Sequence, residues 1–151
     1  MGEAWRILKA QYALTAFTGE GAAKSGGRWN SRGVSVVYTS GTKSLAILES
    51  LVHLNPPIRF TYVAISVKFD DGLLEAFPAK ELSADWRSEP PPPSTKAIGD
   101  AWVKSARTPV LALPSVITGE TNYLLNPAQP DFKKIRLGKP EAFSFDPRLL
   151  T

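Results

Sequence analysis

The chain has 151 residues, 43% of them hydrophobic, which is enough for one compact core and too little for two domains of ordinary size. Its formal net charge of +4 favours anionic partners in general, and the absence of cysteine excludes disulfides and thiolate metal sites. No apolar run approaches the roughly 18 residues of a membrane span, so we expect a soluble protein without membrane association. The lack of cysteine agrees with the reducing cytoplasm that we expect as its location.

The first third of the chain alternates between strand signals and glycine. A strand is predicted over 5–8 and another over 34–38, where β-branched and aromatic residues cluster. Between them, residues 18–27 are rich in glycine and small side chains, which predicts a long irregular loop of functional use. The stretch Ser40-Gly41-Thr42 is expected to end the second strand and to supply the cap of a helix over 43–54.

Glu49 lies inside an apolar stripe of that predicted helix. At 100° per residue it shares one face with Leu45, Leu48 and Val52, and the opposite face is apolar as well. A buried carboxylate must find a partner, take up a proton or face a ligand cavity. A structural salt bridge, or a contact with His53, is the alternative to a ligand site.

The second half is predicted to be richer in strands. The clearest core strand covers 60–69, and the run of prolines at 90–93 is interpreted as a surface connector. The remaining elements are a helix over 98–106, a strand over 110–117 broken at Pro114-Ser115, a loop over 121–127, and strands over 131–137 and 143–146.

Arg28 follows two glycines, which allow a backbone to approach a ligand closely. Its guanidinium could donate bidentate hydrogen bonds to a phosphate, or it could pair with a nearby carboxylate in an ordinary turn. The stretch matches neither a Walker loop nor a dinucleotide-binding glycine fingerprint. Because His53 is the only histidine, we expect neither a zinc site of histidines nor a Ser-His-Asp triad, and we predict no metal site.

Ser115 follows a proline at a strand break, where its hydroxyl could contact a ligand or cap the turn. Basic residues cluster locally at Lys133, Lys134, Arg136 and Lys139, but the other lysines and arginines are scattered. A solvated basic surface is therefore favoured over a nucleic-acid interface.

Several short stretches, in this order, resemble the RES-domain family, the toxins of RES–Xre toxin–antitoxin systems. They are Trp5-Arg6, Thr18-Gly19-Glu20-Gly21, Gly26-Gly27-Arg28-Trp29-Asn30, Val37-Tyr38, Leu48-Glu49, Leu113-Pro114-Ser115, Asn126-Pro127 and Phe145-Asp146-Pro147-Arg148-Leu149. The resemblance spans nearly the whole chain. It implies one α+β domain over residues 1–151, with a mixed β core akin to that of ADP-ribosyltransferase toxins.

The resemblance also implies an activity on NAD. Arg28, Tyr38 and Glu49 would be catalytic, and Arg6, Arg28, Tyr38 and Ser115 would bind the dinucleotide. Arg28, helped by Arg6, would hold the pyrophosphate, and Tyr38 would pack against the nicotinamide ring or its ribose. Glu49 would stabilise the oxocarbenium-like charge that develops as the glycosidic bond breaks, and Ser115 would orient the substrate.

The expected function is that of a bacterial toxin that cleaves the nicotinamide–ribose bond by hydrolysis or phosphorolysis. A protein ADP-ribosyltransferase is the alternative, and a small basic ribonuclease or a non-catalytic nucleotide-binding module is a more distant one. By resemblance, an Xre-type antitoxin would cover the pocket and contact DNA, leaving this chain without direct nucleic-acid contact. A homodimer within such a complex is also compatible with the resemblance.

Overall fold

The computed structural model describes residues 1–53 and 60–150. Three α-helices lie among eight strands: α1 (Glu20–Ser25), α2 (Lys43–Leu51) and α3 (Pro93–Ser105). The strands are β1 (Gly2–Lys9), β2 (Val37–Ser40), β3 (Tyr62–Phe69), β4 (Leu74–Ala76), β5 (Val110–Pro114), β6 (Thr121–Leu125), β7 (Arg136–Leu137) and β8 (Glu141–Phe143).

All eight strands belong to one sheet. Their order is β4-β5-β6-β2-β1-β3-β7, and β8 also pairs with β3. Only the β4–β5 pair is parallel among these pairings. The longest pairing joins β1 to β3, from Gly2 opposite Phe69 to Lys9 opposite Tyr62. In the strand order β1 lies between β2 and β3, away from both edges of the sheet. The mixed sheet with few helices confirms the predicted α+β class.

Apolar side chains cover both faces of the sheet, because neighbouring residues in a strand point to opposite faces. Val37, Val110 and Leu125 belong to one buried cluster with Ala4 and Phe69. Their chain neighbours Val36, Leu111 and Leu124 belong to a second cluster, which includes Trp29 and Trp102. The second face is therefore closed by the turn that carries Trp29 and by α3, which carries Trp102.

Helix α2 packs against β1 and β2. Its N-terminus has the predicted cap, because the Thr42 hydroxyl accepts a hydrogen bond from the Leu45 amide at 3.0 Å. Among the described residues no helix is long and apolar enough to cross a membrane.

Replacing Thr42 with alanine is expected to lower the free energy of unfolding by about 1 kcal/mol, because an amide at the helix start loses its acceptor. Denaturant unfolding monitored by circular dichroism measures the change. Ser44→Ala, at an exposed position in the same first turn, is the control and is expected to leave stability nearly unchanged. Equal losses in the two variants would contradict the capping role.

Two predicted loops are elements of regular structure. Residues 18–27 contain α1, which begins after Gly19 (φ 79°) and ends before Gly26 (φ 71°). Gly19 precedes the first residue of this short helix and Gly26 ends it, in a segment whose glycine content had predicted an irregular loop. Residues 121–127 contain β6, which lies between β5 and β2. Pairing on both sides places this segment in the sheet despite its weak strand pattern.

Other predicted bounds also differ. Most of 131–137 is a 3-10 turn followed by the two-residue β7, and α3 starts five residues earlier than predicted, at Pro93. The proline run thus leads directly into a helix, because proline is well tolerated in a first turn. The predicted end of α2 at Leu54 lies outside the described residues.

The apolar composition of helix α2 predicted burial on both of its faces, but the structure buries only one. Only Leu45 and Ala46 are buried, whereas Leu48 is 39% and Val52 62% exposed. The helix rests on the sheet by one face and turns the other outward. Glu49 is consequently half-buried rather than enclosed in the core.

Candidate functional site

The phenol of Tyr38 is hydrogen-bonded to the turn of residues 27–30, which carries Arg28 and is called the Arg28 turn below. It accepts a hydrogen bond from the Trp29 amide at 3.0 Å and donates one to Asn30 Oδ1 at 2.6 Å. A Cβ atom on Gly27 would lie 2.6 Å from the phenol oxygen, so only glycine fits there. Burial raises the pKa of Tyr38, which keeps the phenol protonated at neutral pH and available as this donor.

Asn30 fixes the same turn from within the protein. The residue is fully buried, and its Nδ2 donates to the carbonyl oxygens of Ala22 and Val34 at 2.9 and 3.0 Å. Asn30 was part of the family-like stretch, but no role was predicted for it. Its buried amide joins α1, the turn and the approach to β2 into one unit.

The Arg28 guanidinium is already bonded within the protein. It donates to the carbonyl oxygens of Trp86 and Ser88, both at 2.9 Å, and forms an ion pair with Glu89 at 2.7 Å. The Arg28 side chain is mostly buried, whereas that of Glu89 is 75% exposed. This is the carboxylate pairing that the sequence left open, and it ties the Arg28 turn to residues 86–89.

The Arg6 guanidinium, unlike that of Arg28, has no acidic partner in the described chain. Its Nη1 donates to the carbonyl oxygen of Tyr38 at 3.1 Å, and no carboxylate of the described chain lies within ion-pair distance of it. Its Nε is buried without a hydrogen-bond partner. Burial lowers the pKa of Arg6 to about 10, so the side chain remains charged at neutral pH. A guanidinium with free donors and no counter-charge is suited to hold an anion.

Glu49 and Ser115 lie 66 residues apart in the chain, and their side chains form a direct hydrogen bond. The Ser115 hydroxyl donates to Glu49 Oε1 at 2.6 Å. The hydroxyl oxygen of Ser115 in turn accepts hydrogen bonds from the amides of Ile117 and Thr118, at 3.1 and 3.3 Å. Ser115 therefore both caps the turn after β5 and holds the Glu49 carboxylate. His53, which the sequence offered as an alternative contact of Glu49, is exposed beyond the end of α2.

The predicted site residues form two groups. Arg6, Tyr38 and the Arg28 turn make one connected set, and Glu49 with Ser115 makes the other. In the described structure no hydrogen bond joins the two groups. They are related through α2, which carries Glu49 and packs on β1 and β2, the strands of Arg6 and Tyr38.

Two surface pockets lie beside these groups rather than on them. One, of about 340 Å³, lies between α3 and strands β4 and β5. The other, of about 360 Å³, lies at the start of α2 and includes Thr42 and Glu120. None of the five predicted site residues lines either pocket.

A sequence model of the family described as "RES domain" matches residues 3–146. The chain belongs to the RES domain family. This confirms the resemblance that the ordered motifs predicted, and it places all five predicted site residues inside the matched region.

Curated relatives of this RES domain carry toxin names. The "Prs ADP-ribosylating toxin" of Sphingobium sp. (strain YBL2) is 40% identical, over 97% of this chain and 95% of the relative. "Toxin Res" of Yersinia enterocolitica is 34% identical over 96% and 97%, and "Toxin Res" of Pseudomonas putida is 32% identical over the same shares.

A solved structure shares the fold of this RES domain. It is a chain of the M. tuberculosis MbcT-MbcA toxin–antitoxin complex, with a TM-score of 0.75 over 95% of this chain and 84% of that one. At 16% identity, the similarity supports the fold alone.

Proposed function

We propose that this RES domain is a toxin that consumes NAD by breaking the bond between nicotinamide and its ribose. Toxin-named relatives that match almost the full chain support the biological role. The hydrogen bond between Glu49 and Ser115 is the observation that supports the proposed bond cleavage, because it joins two residues that the family resemblance assigned to one site.

Glu49 is the proposed stabiliser of the transition state. As the glycosidic bond breaks, positive charge develops on the ribose, and a carboxylate held nearby lowers the energy of that charge. Ser115 occupies one carboxylate oxygen and fixes its direction. The second oxygen is then available to accept a hydrogen bond from a ribose hydroxyl.

Arg6 is the proposed main contact for the pyrophosphate. Its guanidinium has free donors, whereas three donor hydrogen bonds of Arg28 already go to residues 86–89. In this proposal Arg28 adds its charge at the wall of the site. Tyr38, whose hydroxyl is held by Asn30, offers its ring to the nicotinamide or its ribose.

The acceptor of the ADP-ribosyl group is proposed to be water or phosphate. Transfer to a protein side chain is the second candidate, and the name of the Sphingobium relative favours it. Both reactions share the same first bond cleavage, so they make the same demand on Glu49.

A toxin that consumes NAD needs an inhibitor in its own cell. We therefore propose that an antitoxin of the Xre type covers the site, with the cytoplasm as the place of action. The M. tuberculosis complex, a toxin with its antitoxin, supports this kind of partner. We also propose that residues 1–151 act as one domain, since a single sheet runs from β1 to β8.

Incubation with NAD tests the proposal. The purified chain is mixed with NAD alone, with NAD and phosphate, and with NAD and a cell lysate, and the products are identified by mass. Free nicotinamide is expected in all three, with ADP-ribose or its phosphate ester as the other product. A protein heavier by one ADP-ribosyl group would support the second candidate, and intact NAD in every mixture would refute both.

A further inference from the structure

Two charged side chains of helix α3 form hydrogen bonds with the Arg28 turn and with the residue that follows it. Lys96 Nζ donates to the Gly27 carbonyl at 2.8 Å and lies 3.5 Å from that of Asn30. One helical turn later, Asp100 accepts from the Ser31 amide at 2.9 Å and from its hydroxyl at 2.5 Å. The two residues therefore hold both ends of the turn.

Gly99 brings the helix close enough for this contact. A Cβ atom at that position would collide with the backbone carbonyl of Trp29. Because residues 96 and 100 are four apart in a helix, they lie on the same face as the approach made by Gly99. The turn is thus pressed onto α3 at Trp29 and bonded on either side of it.

Lys96 and Asp100 form no ion pair within the described chain. Their charged groups bond instead to the turn, mainly to its backbone. Ordering the long Lys96 side chain costs rotamer entropy, and its hydrogen bonds to the carbonyl oxygens of Gly27 and Asn30 must offset that cost. Both charged side chains are thus used to fix the position of the turn.

We propose that Lys96 is a positioning residue for the substrate site. It holds the Gly27 carbonyl, and through the turn it fixes the start of the Arg28 side chain and the amide of Trp29 that bonds to Tyr38. This inference rests on the proposed NAD site. Lys96 itself contacts the turn and not the substrate, so its loss weakens substrate binding more than turnover.

Three variants isolate this role. Lys96→Met removes the ammonium and keeps the length of the side chain, and Lys96→Arg restores a donor. Lys104→Met is the matched control, because Lys104 is an exposed lysine of the same helix.

The first measurement is amide hydrogen exchange in peptides covering residues 26–31, and it needs no catalytic activity. We expect about tenfold faster exchange in Lys96→Met, near wild-type exchange in Lys96→Arg, and no change in Lys104→Met. Unchanged exchange in Lys96→Met would overturn the proposal.

The second measurement is the steady-state rate of nicotinamide release. A displaced turn is expected to raise KM about tenfold in Lys96→Met with kcat within about threefold, and Lys96→Arg should recover most of the loss. A purely structural role would instead lower the melting temperature and the amount of active protein, leaving KM unchanged, and would refute the positioning role.

The two proposals fail differently. If the wild-type chain releases no nicotinamide, the proposed NAD chemistry fails, and the exchange experiment still decides whether Lys96 holds the turn. If the wild-type chain is active and Lys96→Met has a wild-type KM, only the positioning role is wrong.

Discussion

Replacing Glu49 with glutamine is expected to lower the rate of nicotinamide release by about 10²–10³-fold, the usual effect of losing one preorganised transition-state contact. Glutamine has nearly the same shape and can still accept a hydrogen bond from Ser115, but it carries no negative charge. The charge that develops on the ribose then loses its counter-charge. Because Glu49 is only half-buried, the fold should survive the change.

Nicotinamide release and thermal unfolding of the same preparation measure the two effects separately. Glu81→Gln, at an exposed glutamate, is the control and should match the wild type in both. A Glu49→Gln protein that releases nicotinamide at the wild-type rate would remove Glu49 from the mechanism.

Replacing Arg6 with methionine is expected to weaken NAD binding by about 10- to 100-fold, since charge-assisted hydrogen bonds to the pyrophosphate are lost. The melting temperature should change little. Arg6 has a pKa lowered to about 10, which means that folding disfavours its charged form at any pH below that value. Relief of this cost offsets the lost bond to the Tyr38 carbonyl.

Calorimetric titration with NAD in a Glu49→Gln background, where the substrate persists, measures the affinity. Arg136→Met, at an exposed arginine on the edge strand β7, is the control for the loss of one positive charge. In the same background with Arg6 intact, the affinity should fall as the pH rises through about 10, because Arg6 loses its proton there. Equal affinities of Arg6→Met and the control would contradict the assignment.

Local patterns predicted several features correctly. The stretch Ser40-Gly41-Thr42 was predicted to supply a helix cap, which Thr42 provides, and the alternation over 60–69 predicted β3 within two residues. Both depend on neighbours in the chain. The pairing of Glu49 with Ser115 could not be predicted from spacing, because 66 residues separate them; only the family resemblance placed them in one site.

Features that depend on distant partners were missed. Strand β6 has a weak pattern of its own and is set by β5 and β2 on either side. Lys96 and Asp100 had no local signal, since their partners lie 66 to 69 residues earlier. The ion pair of Arg28 with Glu89 is of the same kind, and it is the reason why the proposed pyrophosphate contact is assigned mainly to Arg6 rather than to Arg28.

The most direct test of the central claim is a crystal structure of Glu49→Gln protein with NAD bound. We expect the pyrophosphate against the Arg6 guanidinium and the nicotinamide ribose within hydrogen-bond distance of residue 49. A dinucleotide bound elsewhere, such as in the pocket between α3 and strands β4 and β5, would contradict it.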